Sequence, residues 1–259
     1  LHSARENGHE SNTGEFRFVT LGWREYHVNP TYGLDQSSRS GRGDSRFRTI
    51  SYALARAQYN AVNLFEMSAR LMLQGGTYRE SLILNLPEGM KAWICSEPGY
   101  RDNGSVKSSI KGFQTVLRTT VSPPRGLRAF TIRSPGVRIE GLKIADGGRV
   151  SDRGGAILCD GASVSAEIAR CFFVRNLASG DGGAIAAVNG AKPVIASSMF
   201  KDNRSRGKGG AISLNGVSGG VQIAHCTFVD NFARDNGGAV ALPDTPSVAN
   251  EIGNNIFVR

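Results

Sequence analysis

The tetrapeptide Gly-Gly-Ala-Ile, with Val closing its last copy, occurs at 154–157, 182–185, 209–212 and 237–240, so the copies lie 28, 27 and 28 residues apart. A second motif, Phe-x-x-Asn, keeps step at Phe173/Asn176, Phe200/Asn203 and Phe228/Asn231, and Phe257 continues the Phe series. An Ile stands five residues ahead of each Phe: Ile168, Ile195, Ile223 and Ile252. Ile139 with Ile144 reads as an earlier, degenerate copy. Two linked motifs in phase restrict the chain to a repeat architecture, in which each unit buries its apolar face against its neighbours.

Within a unit the apolar residues alternate over short runs, as in Ile157-x-Cys159, Ile212-x-Leu214 and Val240-x-Leu242. Period two predicts strands, and no unit holds ten residues of helical periodicity. Short strands recurring every 27–29 residues imply a coiling chain that stacks each strand on its own copy one turn later, about 4.8 Å away. The expected ladders are Ile157/Ile185/Ile212/Val240, Ile168/Ile195/Ile223/Ile252 and Phe173/Phe200/Phe228/Phe257, with Asn176/Asn203/Asn231 stacked in a turn. The Gly pairs mark turns with positive φ or close packing. A leucine-rich repeat fits less well, because no Leu-x-x-Leu-x-Leu frame exists.

These motifs resemble the repeats of chlamydial polymorphic outer-membrane proteins, and the wider pattern resembles the right-handed parallel β-helices of the pectate-lyase-like superfamily. Tyr26-His27-Val28-Asn29-Pro30, Gly33-Leu34-Asp35, Phe47-Arg48-Thr49-Ile50 with Ala53, Leu54 and Ala57, and Gly76-Thr77-Tyr78-Arg79-Glu80 follow in the order that opens many such domains. The resemblance implies an all-β solenoid with a short amphipathic helix capping its N-terminal end, and a secreted or cell-surface setting. It implies no single activity, because the superfamily holds lyases, hydrolases, epimerases, adhesins and inert scaffolds.

The expected organisation is an N-terminal tail over 1–25, a cap region over 26–70 and the parallel β-helix over 71–259. Residues 58–69 read as an extended link between the capping helix and the first strand. The last residues, Phe257-Val258-Arg259, fall inside a core strand. An open solenoid end exposes apolar core and strand edge. The expectation is therefore either further chain beyond Arg259 or a protein partner covering that end.

The chain carries 31 Lys+Arg against 22 Asp+Glu, a net +9, and the excess is local. Residues 103–139 hold Lys107, Lys111, Arg118, Arg125, Arg128, Arg133 and Arg138 with no acid among them. With Lys143 they read either as a solvated basic face or as a polyanion-binding stripe for an acidic polysaccharide. Nucleic acid is disfavoured, since only Phe113 and Phe130 interleave with the charges. No stretch approaches the 18 apolar residues of a membrane span.

Catalytic candidates come from register. Asp202 and Asp230 sit on adjacent coils, an acceptable spacing for a paired-carboxylate glycosidase. Arg175 and Arg259 flank them in the same column and favour both ionised, which is the signature of a charge ladder. Arg170 and His225 share a column two coils apart, and with Lys143 they would supply neutraliser and base for a lyase on an acidic polysaccharide. No acidic cluster offers a Ca²⁺ cage, and no metal or other cofactor is expected. Cys171 and Cys226 lie about 9.6 Å apart by two coils, too far for a disulfide. Cys159 reads as a buried apolar residue in a column with Ala187, Leu214 and Leu242, and Cys95 has no register. Arg42-Gly43-Asp44 matches an adhesion tripeptide in a loop, weak evidence alone. Asn103 and Asn203 head glycosylation sequons, the second buried in the Asn ladder.

Two functions remain compatible with the sequence. One is a non-catalytic β-solenoid acting as a binding, structural or assembly module for an acidic glycan, another polyanion or a protein partner. The alternative is a polysaccharide lyase.

Overall fold

The computed structural model describes residues 22–36, 46–97, 119–148, 152–214, 216–217, 220–243 and 251–258. Lys107, Lys111, Arg118, Arg259, the Arg42-Gly43-Asp44 motif and the Asn103 sequon lie outside the described residues.

The described strands form parallel ladders only, so the chain is a parallel β-helix. The first sheet stacks eight strands, numbered here as rungs 1 to 8: Arg24–Val28, Ser68–Leu73, Lys91–Ser96, Val137–Glu140, Glu167–Ala169, Val194–Ala196, Gln222–Ala224 and Glu251–Gly253. A second sheet of seven strands runs from Gly76–Tyr78 to Ile256–Val258, and a third of six from Leu82–Leu84 to Val240–Ala241. A short fourth ladder joins Leu177–Ala178, Arg204–Ser205 and Phe232–Ala233. The stacking already starts at Arg24, whose strand pairs residue by residue with Ala69–Leu73.

The motif ladders stand in the anticipated register. Ile157, Ile185, Ile212 and Val240 are successive partners, as are Ile139, Ile168, Ile195, Ile223 and Ile252. The Phe rings stack with centroids 4.7, 5.0 and 4.9 Å apart and interplanar angles of 9° or less. Phe173, Phe200 and Phe228 are buried, and each such ring contributes about 1.5–3 kcal/mol of hydrophobic stabilisation. The two glycines of Gly-Gly-Ala-Ile serve different needs. The first (Gly154, Gly182, Gly209, Gly237) has φ near +70°, and a Cβ there would meet the carbonyl oxygen three residues on at 2.1–2.4 Å. The second (Gly155, Gly183, Gly210) faces the next coil's glycine carbonyl, which a Cβ would strike at 2.3 Å or less.

The cap is a helix, α1, over Ile50–Leu64. It is longer than the sequence suggests: residues 58–64, read as part of a link, form its last two turns. The reason is a buried face that continues through Ala57, Asn60 and Ala61, with Asn60 Nδ2 donating to the Tyr26 hydroxyl at 2.8 Å. Thr49 caps the N-terminus, accepting from Tyr52 N–H. Two carboxylates clamp the same end to the coil. Asp35 accepts from the Arg48 and Thr49 amides and the Thr49 hydroxyl, while Glu80 accepts from the Ile50 and Ser51 amides and the Ser51 hydroxyl.

Candidate functional site on the first sheet

Outward positions of the first sheet alternate with the Ile ladder, so the register places one side chain per rung in a column along the helix axis. The column through rungs 1 to 5 reads Glu25, Arg70, Trp93, Arg138, Glu167. Both guanidiniums lie over the Trp93 ring, Arg70 at 3.9 Å and Arg138 at 4.9 Å from its centroid. Trp23, 42% exposed, meets Trp93 edge-on at 5.9 Å. Arg70 reaches Glu25 at 3.4 Å, and Arg138 reaches Glu167 at 3.0 Å. The carboxylates of those two pairs are about half exposed, so each is a weak, exchangeable surface interaction.

Beside this column runs another: His27, Met72, Cys95, Glu140 and Ala169, followed by Ala196, Ala224 and Gly253 on rungs 6 to 8. Glu140 is buried and pairs with two guanidiniums, Arg138 at 2.9 Å and Arg170. Cys95 is buried next to Arg70. Burial raises its thiol pKa despite the hydrogen bond and charge of Arg70, which favours the neutral thiol. At the lower end His27 Nδ1 and Glu97 Oε1 are 3.0 Å apart. Burial pushes the Glu97 carboxyl up, but the hydrogen bond with His27, the neighbouring Gln74 amide and the charges of His27 and Arg46 outweigh it and hold the carboxyl below its ordinary value.

The sequence candidates lie elsewhere. Arg170 and His225 occupy the turn between the first and second sheets, in a column with Gly141, Ser197 and Asn254 where every φ lies between +49° and +67°. Arg170 pairs with Glu140 from this corner. Asp202 and Asp230 occupy the next corner, beyond the second sheet, where φ is again positive. The same corner holds Asp146, with φ +58°, and Arg175, which forks onto it at 2.9 and 3.0 Å. That bidentate bond, with the charges of Asp146 and Asp202, raises the Arg175 pKa. Lys143 stands on the outer side of the second sheet, half-buried. The five catalytic candidates thus divide between two corners and a sheet face.

The basic run is similarly dispersed. Arg125 and Arg128 sit in the turn before the third sheet, where Arg128 donates to Arg153 O at 2.8 Å and pairs with Asp152. Arg133 follows the third-sheet strand Phe130–Ile132 and pairs with Asp160 at 3.5 Å. Arg138 is on the first sheet and Lys143 on the second. A stretch of sequence about one coil long winds around the molecule, so its charges point to different sides. Arg70, Trp23 and Trp93 were missed for the converse reason. They precede the regular repeat, at separations of 23 (70 to 93) and 45 (93 to 138) residues that share no period.

The cysteines follow register. Cys171 and Cys226 share a turn column with Ser198 between them, and the Cys171 amide donates to Ser198 Oγ at 3.1 Å. Cys159 pairs with Ala187, and all four thiols are free and buried. Burial pushes the Cys159 and Cys171 thiols up to about 12. Among the described residues no group of three metal-ligating side chains occurs, and no helix is long and apolar enough to cross a membrane.

No protein-family model matches the chain, and no curated protein matches it. Among solved structures it is similar to the pectin methylesterase from Aspergillus niger in deglycosylated form, with a TM-score of 0.45 and 12% identity over 90% of this chain and 85% of that one.

Proposed function

We propose that this chain is a non-catalytic β-helical scaffold that binds an acidic polymer, specifically an acidic polysaccharide, along the outer side of its first sheet. The observation that carries the reading is the Arg70–Trp93–Arg138 column beside exposed Trp23. Guanidinium forks suit carboxylate and sulfate, and the exposed Trp23 indole suits the apolar face of a sugar ring, while Trp93 serves as the platform on which the two guanidiniums lie. A non-catalytic role is supported by what occupies the catalytic candidates. Arg170 shares buried Glu140 with Arg138, and Asp202 and Asp230 follow Asp146 and Arg175 in a turn column that the backbone repeats on each coil.

Retention on immobilised alginate and heparin over a salt gradient tests the reading. The protein is expected to be retained at low salt and to elute early as salt rises. Arg70→Ser with Arg138→Ser should abolish retention, whereas Arg125→Ser, Arg128→Ser and Arg133→Ser together should leave most of it. No retention at low salt refutes the proposal. A rise in the ultraviolet absorbance of unsaturated uronate on incubation with alginate, pectate or sulfated glycans would replace it with the lyase.

A further inference from the structure

We infer that the short fourth ladder carries a separate binding site, for the phosphate monoester of a small sugar, formed by Arg204, Arg206, Arg234 and Phe232. It lies on a different ladder from Arg70 and Arg138 and stands independently of the acidic-polysaccharide reading.

The strands Arg204–Ser205 and Phe232–Ala233 pair in parallel, Arg204 against Phe232, and the Arg234 amide donates to Ser205 O at 3.1 Å. The same register sets Arg206 against Arg234. Exposed Arg204 and Arg206 flank buried Ser205, so both side chains leave the ladder on its outer side. Phe232, 57% exposed, and exposed Arg234 stand beside them one coil on. The four form a block with about 4.8 Å between coils and roughly 6.6 Å along each strand.

Two like charges directly opposed in a ladder are destabilising, and ion pairs do not relieve this one. The described arginines from Arg128 to Arg175 each meet a carboxylate: Arg128 on Asp152, Arg133 on Asp160, Arg153 on Asp181, Arg138 and Arg170 on Glu140, and Arg175 on Asp146. Among the described residues Arg204, Arg206 and Arg234 meet none. Asp181 is taken up by Arg153 and by the Lys208 amide. Asp235 follows Arg234 in sequence and is exposed, and it forms no ion pair with the block.

Three guanidinium forks brought this close call for a ligand with about two negative charges and three acceptor oxygens, which is the description of a phosphate monoester. A carboxylate or a sulfate ester brings a single charge. Phe232 fills the remaining corner, next to Arg204 across the coils and to Arg234 along the strand. Its exposed ring suits the apolar face of a sugar that carries the phosphate.

Calorimetric titration of the intact chain with glucose 6-phosphate, glucose 6-sulfate and inorganic phosphate tests this. Glucose 6-phosphate is expected to bind with a Kd of about 1 mM or below, and the sulfate at least about tenfold more weakly. Inorganic phosphate is expected to bind severalfold more weakly than the sugar phosphate, and Phe232→Ala should erase that difference. Arg206→Gln with Arg234→Gln should weaken glucose 6-phosphate at least about tenfold. Both substitutions remove a repulsive contact at exposed positions, so the thermal midpoint of that variant should equal or exceed that of the unaltered protein. No saturable binding of glucose 6-phosphate, equal binding of the sulfate, or an unchanged affinity in the arginine variant overturns the inference. Inorganic phosphate bound as tightly as the sugar phosphate also overturns it, because the site then takes the free ion.

Discussion

At the residue scale, positive φ explains why several polar residues stand where they do. Asp146, Arg175, Asp202 and Asp230 share one left-handed corner, and Arg170, Ser197, His225 and Asn254 share another. Asp and Asn enter this conformation at low cost because their short side chains bond locally, whereas an Arg there costs about 1–2 kcal/mol and needs a compensating partner. Arg175 has Asp146 and Arg170 has Glu140. The Asn column obeys a stricter rule, because Asn176 and Asn203 are buried. Asn203 Oδ1 accepts from the Asn176 amide and Nδ2, while its own Nδ2 donates to Phe173 O and Asn231 Oδ1. Asn203→Asp removes that donor and leaves two buried acceptors facing a carboxylate. The expected loss is about 3–5 kcal/mol in denaturant melts. A loss under 1 kcal/mol would show that the ladder is not a hydrogen-bonded support.

At the element scale, the lower end of the first sheet is tied by polar contacts across rungs. Glu97 follows rung 3 and meets His27 on rung 1, with buried Gln74 between them in sequence and stacking. Its carboxyl titrates below the ordinary value in the fold, so its stabilising contribution is complete above the unfolded carboxyl's pKa. That contribution is lost as pH falls through the lower folded value. Glu97→Gln should therefore be less stable than the unaltered protein by about 1–2 kcal/mol near pH 7, with the gap closing well below pH 4. Denaturation midpoints at pH 7 and pH 3 check this, and a gap that widens in acid would contradict it. The regular rungs were legible from Gly-Gly-Ala-Ile and Phe-x-x-Asn because a repeated turn demands the same residues each time. Rungs 1 to 3 carry neither motif. Their register is set by tertiary pairing with rung 4, so the face built on Arg70 and Trp93 was invisible in the sequence.

At the scale of the whole molecule, a stacked coil couples only to its neighbours, and the fold is nearly one-dimensional. Gly182 and Gly209 occupy equivalent positions with φ of +69° and +72°. Excising residues 182–208 therefore joins Asp181 to Gly209 in the same register, with Ile157 on Ile212, Phe173 on Phe228 and Asn176 on Asn231. The shortened chain is expected to fold cooperatively with a lower midpoint and a smaller denaturant slope, in proportion to the surface lost. Excising 182–201 instead breaks the phase and should give an unfolded or aggregated product by circular dichroism. Equal behaviour of the two deletions would refute the equivalence of the coils. By itself the sequence determined the parallel coil, its period, the Phe, Ile and Asn ladders and the burial of Cys159, because each follows from one spacing repeated along the chain. Which charges share a side was decided only by the tertiary structure. A coil turns its neighbours in sequence toward different faces and brings residues from separate coils, such as Arg70, Trp93 and Arg138, into one column.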